Sequence, residues 1–171
     1  MNLDWVGGFI EGNGSFSIGF IKSSSTKLKY QIKPVFVLKI PKSEMAVLEK
    51  VRGFFGGIGN IYYDMGENVS FRVTKLDEVK NIVNLLKNAR FVSENKKRDF
   101  ENWVRCIRLI EKKEHLTKDG FLKIALIRDA IHKKQLWNKK NYCVIKNNVD
   151  PCEIYLKEKK IPDNCGICKG C

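Results

Sequence analysis

The chain has 171 residues, 43% of them apolar, so it can bury one sizeable core but is too short for two ordinary domains. Its 32 lysines and arginines exceed its 19 aspartates and glutamates, which gives a net charge of +13 and an isoelectric point near 9.5. A positive excess spread along the chain favours nucleic acid as the partner over a merely soluble basic protein, and a membrane surface ranks third.

The sequence contains no apolar run of about 18 residues, the length that indicates a membrane-spanning helix. Residues 1–14 lack the basic-then-apolar order of a signal peptide. We therefore expect an intracellular protein, in the cytoplasm of a prokaryote or in an organelle, that is neither secreted nor membrane-bound. The cysteines agree with this location, since Cys106 lies in an apolar helical pattern and the others lie beyond residue 142.

The first part of the chain predicts one helix and one hairpin. Apolar residues at helical spacing predict a short helix over residues 3–11, with the glycines of residues 12–14 as its C-terminal cap. Alternating apolar and polar residues predict two paired strands, 15–22 and 30–40. Pro34 indicates a bulge or an unpaired edge in the second strand, because proline lacks a backbone N–H.

The remaining pattern predicts a second helix and hairpin and then further helices. The second helix begins after a Ser43 cap and ends at Gly56-Gly57. The later predicted elements are strands 58–64 and 68–74, joined by a turn at 65–67, and helices 76–87, 95–114 and 116–134. This order predicts an α+β fold, with one domain over residues 1–137 and an irregular Lys- and Cys-rich extension over 138–171.

One segment, residues 5–16, carries a motif. It reads Trp-Val-Gly-Gly-Phe-Ile-Glu-Gly-Asn-Gly-Ser-Phe and resembles the LAGLIDADG motif of homing endonucleases. Gly7 and Gly8 align with the Ala-Gly of the motif, and Glu11 to Gly14 align with its acidic end. The following α-β-β-α-β-β-α order, over roughly residues 3–115, is the arrangement of that family, and it implies a four-stranded antiparallel sheet.

The resemblance implies that the motif helix lies at the centre of a dimer. Trp5, Gly7 and Gly8 are the expected interface residues, since glycines free a helix face for close approach by another helix. The alternative is a glycine-rich helix packed in an ordinary core. One motif and no internal repeat imply a homodimer, and two-fold symmetry implies a long, pseudo-palindromic double-stranded DNA target.

The family binds DNA with its sheet, which implies a set of contact residues. Donors and acceptors suited to base edges are Gln31, Lys33, Asn60, Asn68, Ser70 and Arg72. Lysines suited to phosphates are Lys22, Lys27, Lys29 and Lys39. The alternative is that these residues are only the solvated face of a half-buried sheet.

The metal position of the motif holds an unexpected residue. In the family, the last acidic residue binds a divalent cation such as Mg²⁺, which activates water for the cleavage of DNA phosphodiester bonds. The carbonyl of the preceding residue, here Gly12, helps to hold the ion. The aligned residue is Asn13, which is neutral, so cleavage should be weak or absent while DNA binding survives. An engineered Asp-to-Asn change is favoured over a naturally inactive relative and over a metal bound by Glu11.

A basic residue near the scissile phosphate is also implied at the start of the helix after the two hairpins. Lys97 is the preferred match and Lys96 the alternative; either side chain would neutralise transition-state charge. The competing interpretation is one more solvated lysine in a basic helix. Glu11 is expected to keep a structural role at the end of the motif helix.

The Cys-rich tail lies outside the resemblance. Cys165 and Cys168 have Cys-x-x-Cys spacing and, with Cys171, Cys152 and Cys143 nearby in sequence, offer enough thiolates for Zn²⁺. Disulfides and free thiols are the alternatives.

The leading hypothesis is therefore an intron-encoded homing endonuclease, a DNA hydrolase weakened by Asn13. Two rivals remain on the same fold: an RNA-binding intron maturase and a non-catalytic DNA-binding regulator.

Overall fold

The computed structural model describes residues 1–131, which form five α-helices and four β-strands. In chain order these are α1 Leu3–Asn13, β1 Gly14–Lys22, β2 Tyr30–Pro41, α2 Met45–Phe54, β3 Asn60–Tyr63, β4 Asn68–Val73, α3 Leu76–Leu86, α4 Glu94–Glu111 and α5 Lys118–Ile131. The α-β-β-α-β-β-α order and the α+β class are confirmed. The predicted boundary at 137/138 and the Cys-rich tail lie outside the described residues.

The four strands form one antiparallel sheet in the order β1-β2-β4-β3. β1 pairs with β2 along its whole length, from Gly14 opposite Leu38 to Lys22 opposite Tyr30. β4 pairs only with the second half of β2, beginning at Phe36. The pairing with β1 passes Pro34 without a bulge, so of the two predictions for this proline the unpaired edge is the one observed.

The helices cover one face of the sheet, because alternate residues of each strand point into the core. Phe36 lies in this core, and the centroid of its ring is 5.4 Å from that of Phe16 and 6.3 Å from that of Phe71. Trp103 of α4 is fully buried against the same cluster, and its indole Nε1 donates a hydrogen bond to the carbonyl of Ser17 at 3.1 Å. This bond ties α4 to β1, the strand that continues directly from the motif helix.

The end of α1 differs from the predicted glycine cap. The helix continues through Asn13, and Gly14 is already extended, with φ −93°. A Cβ at Gly14 would lie 2.7 Å from both Cγ2 and the carbonyl oxygen of Ile10, so glycine is required there for space and not for a left-handed turn. Helix and strand therefore join without a loop, which fixes the motif's end against the sheet.

The start of α2 also differs from the prediction. Lys42–Glu44 form a 3-10 turn before the α-helix, so Ser43 lies inside that turn and makes no cap hydrogen bond. Gly56 and Gly57 end the helix as predicted, and both have positive φ. None of the helices within residues 1–131 is both long and apolar enough to cross a membrane.

Candidate nucleic-acid interface and motif site

The motif helix turns one face into its own protomer. Val6, Gly7 and Ile10 are buried. A Cβ at Gly7 would lie 3.8 Å from the carbonyl oxygen of Arg90 and 3.9 Å from the Cβ of Ala89, both in the segment between α3 and α4. The assignment of Gly7 to a dimer interface is therefore corrected, since Gly7 is buried against its own chain.

The opposite face of α1 is open. Trp5 is 46% exposed, and a Cβ placed at Gly8 or Gly12 would meet no atom within 4 Å. These three residues follow one another at spacings of three and four, so they share one face of the helix. The indole of Trp5 stacks on the ring of Phe9 at a centroid distance of 5.1 Å, which leaves a bare strip of backbone beside an aromatic ridge.

Asn13 is the exposed last residue of α1. Its side-chain Nδ2 donates a hydrogen bond to the carbonyl of Phe9 at 3.2 Å. That carbonyl lies in the last turn of α1, so the Asn13 side chain adds a hydrogen bond at the end of the helix. A carboxylate without a proton has no donor with which to make the same bond.

Glu11 connects the motif helix to the start of α4. Its carboxylate accepts hydrogen bonds from the backbone N–H of Val92 at 2.9 Å, from the backbone N–H of Ser93 at 3.2 Å and from the Ser93 hydroxyl. Burial alone raises the pKa of Glu11, but the bonds from Ser93 and Val92 and the charge of Lys96 together lower it below its ordinary value. These bonds join the end of α1 to the start of α4, and the structural role of Glu11 stays a prediction.

Lys96 reaches the motif from the first turn of α4, whereas Lys97 does not. The half-buried Lys96 side chain donates from Nζ to the carbonyl of Gly14, next to Asn13. Burial lowers the pKa of Lys96, against the opposing effect of Glu11 and Asp99. Lys97 lies on the exposed side of α4, so the geometry favours the alternative lysine over the preferred one.

The donor set at the motif's end does not fit a tightly held Mg²⁺ ion as it stands. Magnesium is bound through carboxylates, but Asn13 is neutral and the oxygens of Glu11 accept bonds from α4. The carbonyl of Gly14 accepts a bond from Lys96. Across residues 1–131 no group of three His, Cys, Asp or Glu side chains is arranged to hold a metal, and the predicted zinc ligands of the tail lie outside that range.

The predicted DNA-contacting residues lie on the uncovered face of the sheet or in the β1–β2 connection, apart from Lys22, the last residue of β1, which falls on the helix-covered side by strand alternation. Those that are exposed are Lys22, Lys27, Lys29, Gln31, Lys39 and Asn60, and those that are partly exposed are Lys33, Asn68 and Arg72. Ser70 is the exception, because it is fully buried beneath its neighbours. The assignment of Ser70 to a base contact is corrected: its hydroxyl bonds to other side chains of this face.

Asp64 is a residue of this face that the sequence did not single out as part of the site. Ser70 donates to its Oδ1 at 3.0 Å, Arg72 donates to the same oxygen, and Lys39 Nζ lies 3.5 Å from Oδ2. Burial raises the pKa of Asp64, but the Ser70 hydrogen bond and the charges of Arg72 and Lys39 outweigh that effect. The pKa of Asp64 is therefore lower than its ordinary value. Only the strand register shows which cations Asp64 meets.

Replacing Glu11 with Gln tests the connection to α4. Because the folded pKa is depressed, Glu11 stabilises the protein above its ordinary pKa of 4.5, and this contribution is lost as pH falls through the lowered folded pKa. At pH 7 we expect Glu11→Gln to lower the free energy of unfolding by about 0.5–1 kcal/mol, the low end for a solvent-screened helix cap.

Urea unfolding at several pH values measures the effect. The difference from the wild type should disappear below the lowered pKa, where Glu11 is protonated in both states. Glu101→Gln, which neutralises an exposed glutamate on α4, is the matched control and should change little at any pH. An equal deficit for Glu11→Gln at pH 7 and at pH 3 would contradict the assignment.

Two solved structures have a fold similar to that of this chain. The homing endonuclease I-TnaI matches with a TM-score of 0.76 and 26% identity, over 85% of this chain and 97% of that chain. I-SmaMI bound to an uncleaved DNA target in the presence of calcium ions matches with a TM-score of 0.79 and 25% identity, over 86% of this chain but 49% of that one.

Curated proteins of two fungi are similar to this chain in sequence. "Probable intron-encoded endonuclease 3" of Neurospora crassa is 26% identical over 130 residues, which are 75% of this chain and 24% of the relative. An uncharacterized 50.9 kDa protein in ND4 intron 1 of Podospora anserina is 28% identical over 116 residues, or 67% of this chain and 25% of that protein. The chain thus spans about a quarter of the length of these relatives.

The family model described as LAGLIDADG endonuclease matches residues 6–107. That range includes the motif helix from Val6 onward, the whole sheet and the part of α4 that carries Lys96. Because the match covers more than half of the chain and the fold agrees with that of solved homing endonucleases, this protein is a member of the LAGLIDADG homing endonuclease family.

Proposed function

We propose that this protein binds one long, pseudo-palindromic DNA duplex as a homodimer, and that it is an intron-encoded homing endonuclease whose cleavage is impaired by Asn13. The observation that carries the proposal is the composition of the end of α1. Asn13 ends α1, the Lys96 ammonium bonds to the next carbonyl, that of Gly14, and Gly8 and Gly12 of the same helix have open space around them. Two copies meeting through the Gly8 and Gly12 side would bring the two helix ends close to one axis.

The sheet supports the DNA-binding half of the proposal. Its uncovered face presents exposed or partly exposed lysines, amides and Arg72, in strands whose other face is buried in the core. Lysines at the hairpin end suit phosphates, and the residues along the strands suit base edges. I-SmaMI and I-CpaMI, which have a similar fold, were both solved bound to DNA, and this supports DNA as the partner of the present protein.

The donor chemistry supports binding without efficient cleavage. Mg²⁺, or another divalent cation, is the cofactor that we propose for a protein with a carboxylate at position 13, with the Gly12 carbonyl as a further ligand. Asn13 removes one negative charge per protomer from a site that must hold a cation close to phosphates. Lys96, in preference to Lys97, is the lysine that we assign to the scissile phosphate, because it contacts the motif's end.

Selection from a randomised duplex pool tests the function. The full-length protein should enrich a site with two related halves, and sedimentation on that duplex should give two chains per DNA. Its affinity should fall steeply with salt, as phosphate contacts require. A structured intron RNA that outcompetes the selected duplex would instead favour the maturase, and specific binding that stays uncleaved after Asn13→Asp would favour the regulator.

A further inference from the structure

Five side chains on the uncovered face of the sheet form a connected group, here termed the Arg72 cluster: Lys39, Tyr62, Asp64, Ser70 and Arg72. Strand pairing brings them together, since Ser70 of β4 lies opposite Lys39 of β2 and Tyr62 of β3. Arg72 follows Ser70 by two residues and therefore points to the same face. Asp64 follows β3 at the start of the turn to β4, and its backbone N–H bonds to the Asn68 carbonyl.

One edge of the Arg72 guanidinium is fixed by this cluster. Its Nε donates to the Ser70 hydroxyl at 2.8 Å, and its Nη2 donates to Oδ1 of Asp64. Ser70 itself donates to the same Asp64 oxygen at 3.0 Å, which closes a three-membered network. The Tyr62 ring lies 5.4 Å from the guanidinium carbon and restrains it from the side.

The other edge of the guanidinium is available. A guanidinium has five N–H donors, and Ser70 and Asp64 use one on Nε and one on Nη2. Within residues 1–131 the structure gives no hydrogen bond donated by Nη1, and the Arg72 side chain is 42% exposed. The free Nη1–Nη2 edge is the one that matches O6 and N7 of guanine in the major groove.

The charge of the cluster also suits DNA. Asp64 is 12% exposed, and its second oxygen faces Lys39 at 3.5 Å. One carboxylate is therefore balanced by two cations, which leaves a net positive charge on the face. Removing Asp64 frees Arg72 to adopt other rotamers, so its planar fork loses the orientation that makes bidentate recognition selective.

We infer that Arg72 is a specificity-determining residue that reads one guanine in each half of the DNA target, and that Asp64 is its positioning residue. This inference rests on the proposed DNA-binding function. It predicts opposite effects of Asp64→Ala on two measurements. Discrimination at one base pair falls, because Arg72 is released, whereas affinity for non-specific duplex stays equal or rises, because a negative charge has left the DNA-facing surface.

The experiment uses the full chain and a randomised duplex pool, with sequencing of the selected fraction. The wild type should prefer guanine at one symmetry-related position per half-site, and Arg72→Ala should lose that preference. Asp64→Ala should reduce discrimination at the same position by on the order of ten-fold and leave other positions unchanged. Asp77→Ala is the matched control, because it removes the same charge from a 97% exposed side chain on α3; it should leave the profile intact.

The outcomes separate this inference from the proposed function. A wild-type protein that selects no sequence would overturn both. A selected site whose profile is unchanged in Asp64→Ala, or is weakened equally at every position, would overturn the positioning role alone. If Asp64→Ala melts well below the wild type, Asp64→Asn takes its place because it keeps the side-chain shape, and Ser70→Ala tests the same network from its buried member.

Discussion

Asn13→Asp is expected to convert a DNA-binding protein into a divalent-cation-dependent nuclease. The amide of Asn13 donates to the Phe9 carbonyl and brings no charge to the end of the motif helix. A carboxylate there offers the oxygen ligand that Mg²⁺ prefers, once from each protomer. A bound metal ion stabilises the transition state by several kcal/mol, and each 1.4 kcal/mol removed from the activation free energy raises the rate about ten-fold. We therefore expect the cleavage rate of the selected duplex to rise by about 1,000-fold.

The measurement is the cleavage rate of the selected duplex with Mg²⁺, and with EDTA as the blank. Two neighbouring lysines provide matched controls in the Asn13→Asp background. Lys96→Met should remove most of the gained activity, because Lys96 contacts the motif's end through Gly14. Lys97→Met changes the next residue of α4, which is exposed, and should leave the gained cleavage activity unchanged. Equal cleavage by the wild type and by Asn13→Asp would contradict the metal argument.

Helix α1 illustrates how much of the fold can be predicted from the sequence. The spacing of Val6, Phe9 and Ile10 sufficed to predict α1, because helical periodicity is a local property of the sequence. The end of α1 was not predictable in the same way. In the sequence, Gly14 resembles a glycine cap. In the structure, position 14 requires glycine because a Cβ there would collide with Ile10, and this contact exists only once helix and strand have joined.

The candidate site shows the same division. The motif identified Asn13 and Glu11 from ten residues, and alternation placed Arg72 on the outer face of its strand. Which side of α1 faces the protein was not readable from adjacent glycines, so Gly7 was assigned outward. Ser70 donates to Asp64, six residues away across a turn, and Asp64 also pairs with Lys39 and Arg72. Long-range register decides such contacts, and a single sequence does not supply it.

Gly8→Leu is expected to abolish the homodimer while leaving each protomer folded. A Cβ at Gly8 meets no atom within 4 Å, so a leucine has room in the protomer. Leucine in place of glycine within a helix should even raise the free energy of unfolding by about 1 kcal/mol. The same side chain fills the bare strip through which a second α1 would approach, so we expect dimer affinity to fall by on the order of 100-fold or more.

Sedimentation of the full chain, free and on the selected duplex, measures the dimer, and urea unfolding measures the protomer. Gly53→Leu is the matched control, since Gly53 is also an exposed helical glycine with open space around it, but on α2. It should stabilise the protomer without affecting assembly. Gly7→Leu should instead destabilise the fold, because its side chain points at Ala89 and Arg90. A Gly8→Leu protein that still binds the full site as two chains would show that α1 does not form the interface, and a wild type that covers that site as one chain would exclude the homodimer itself.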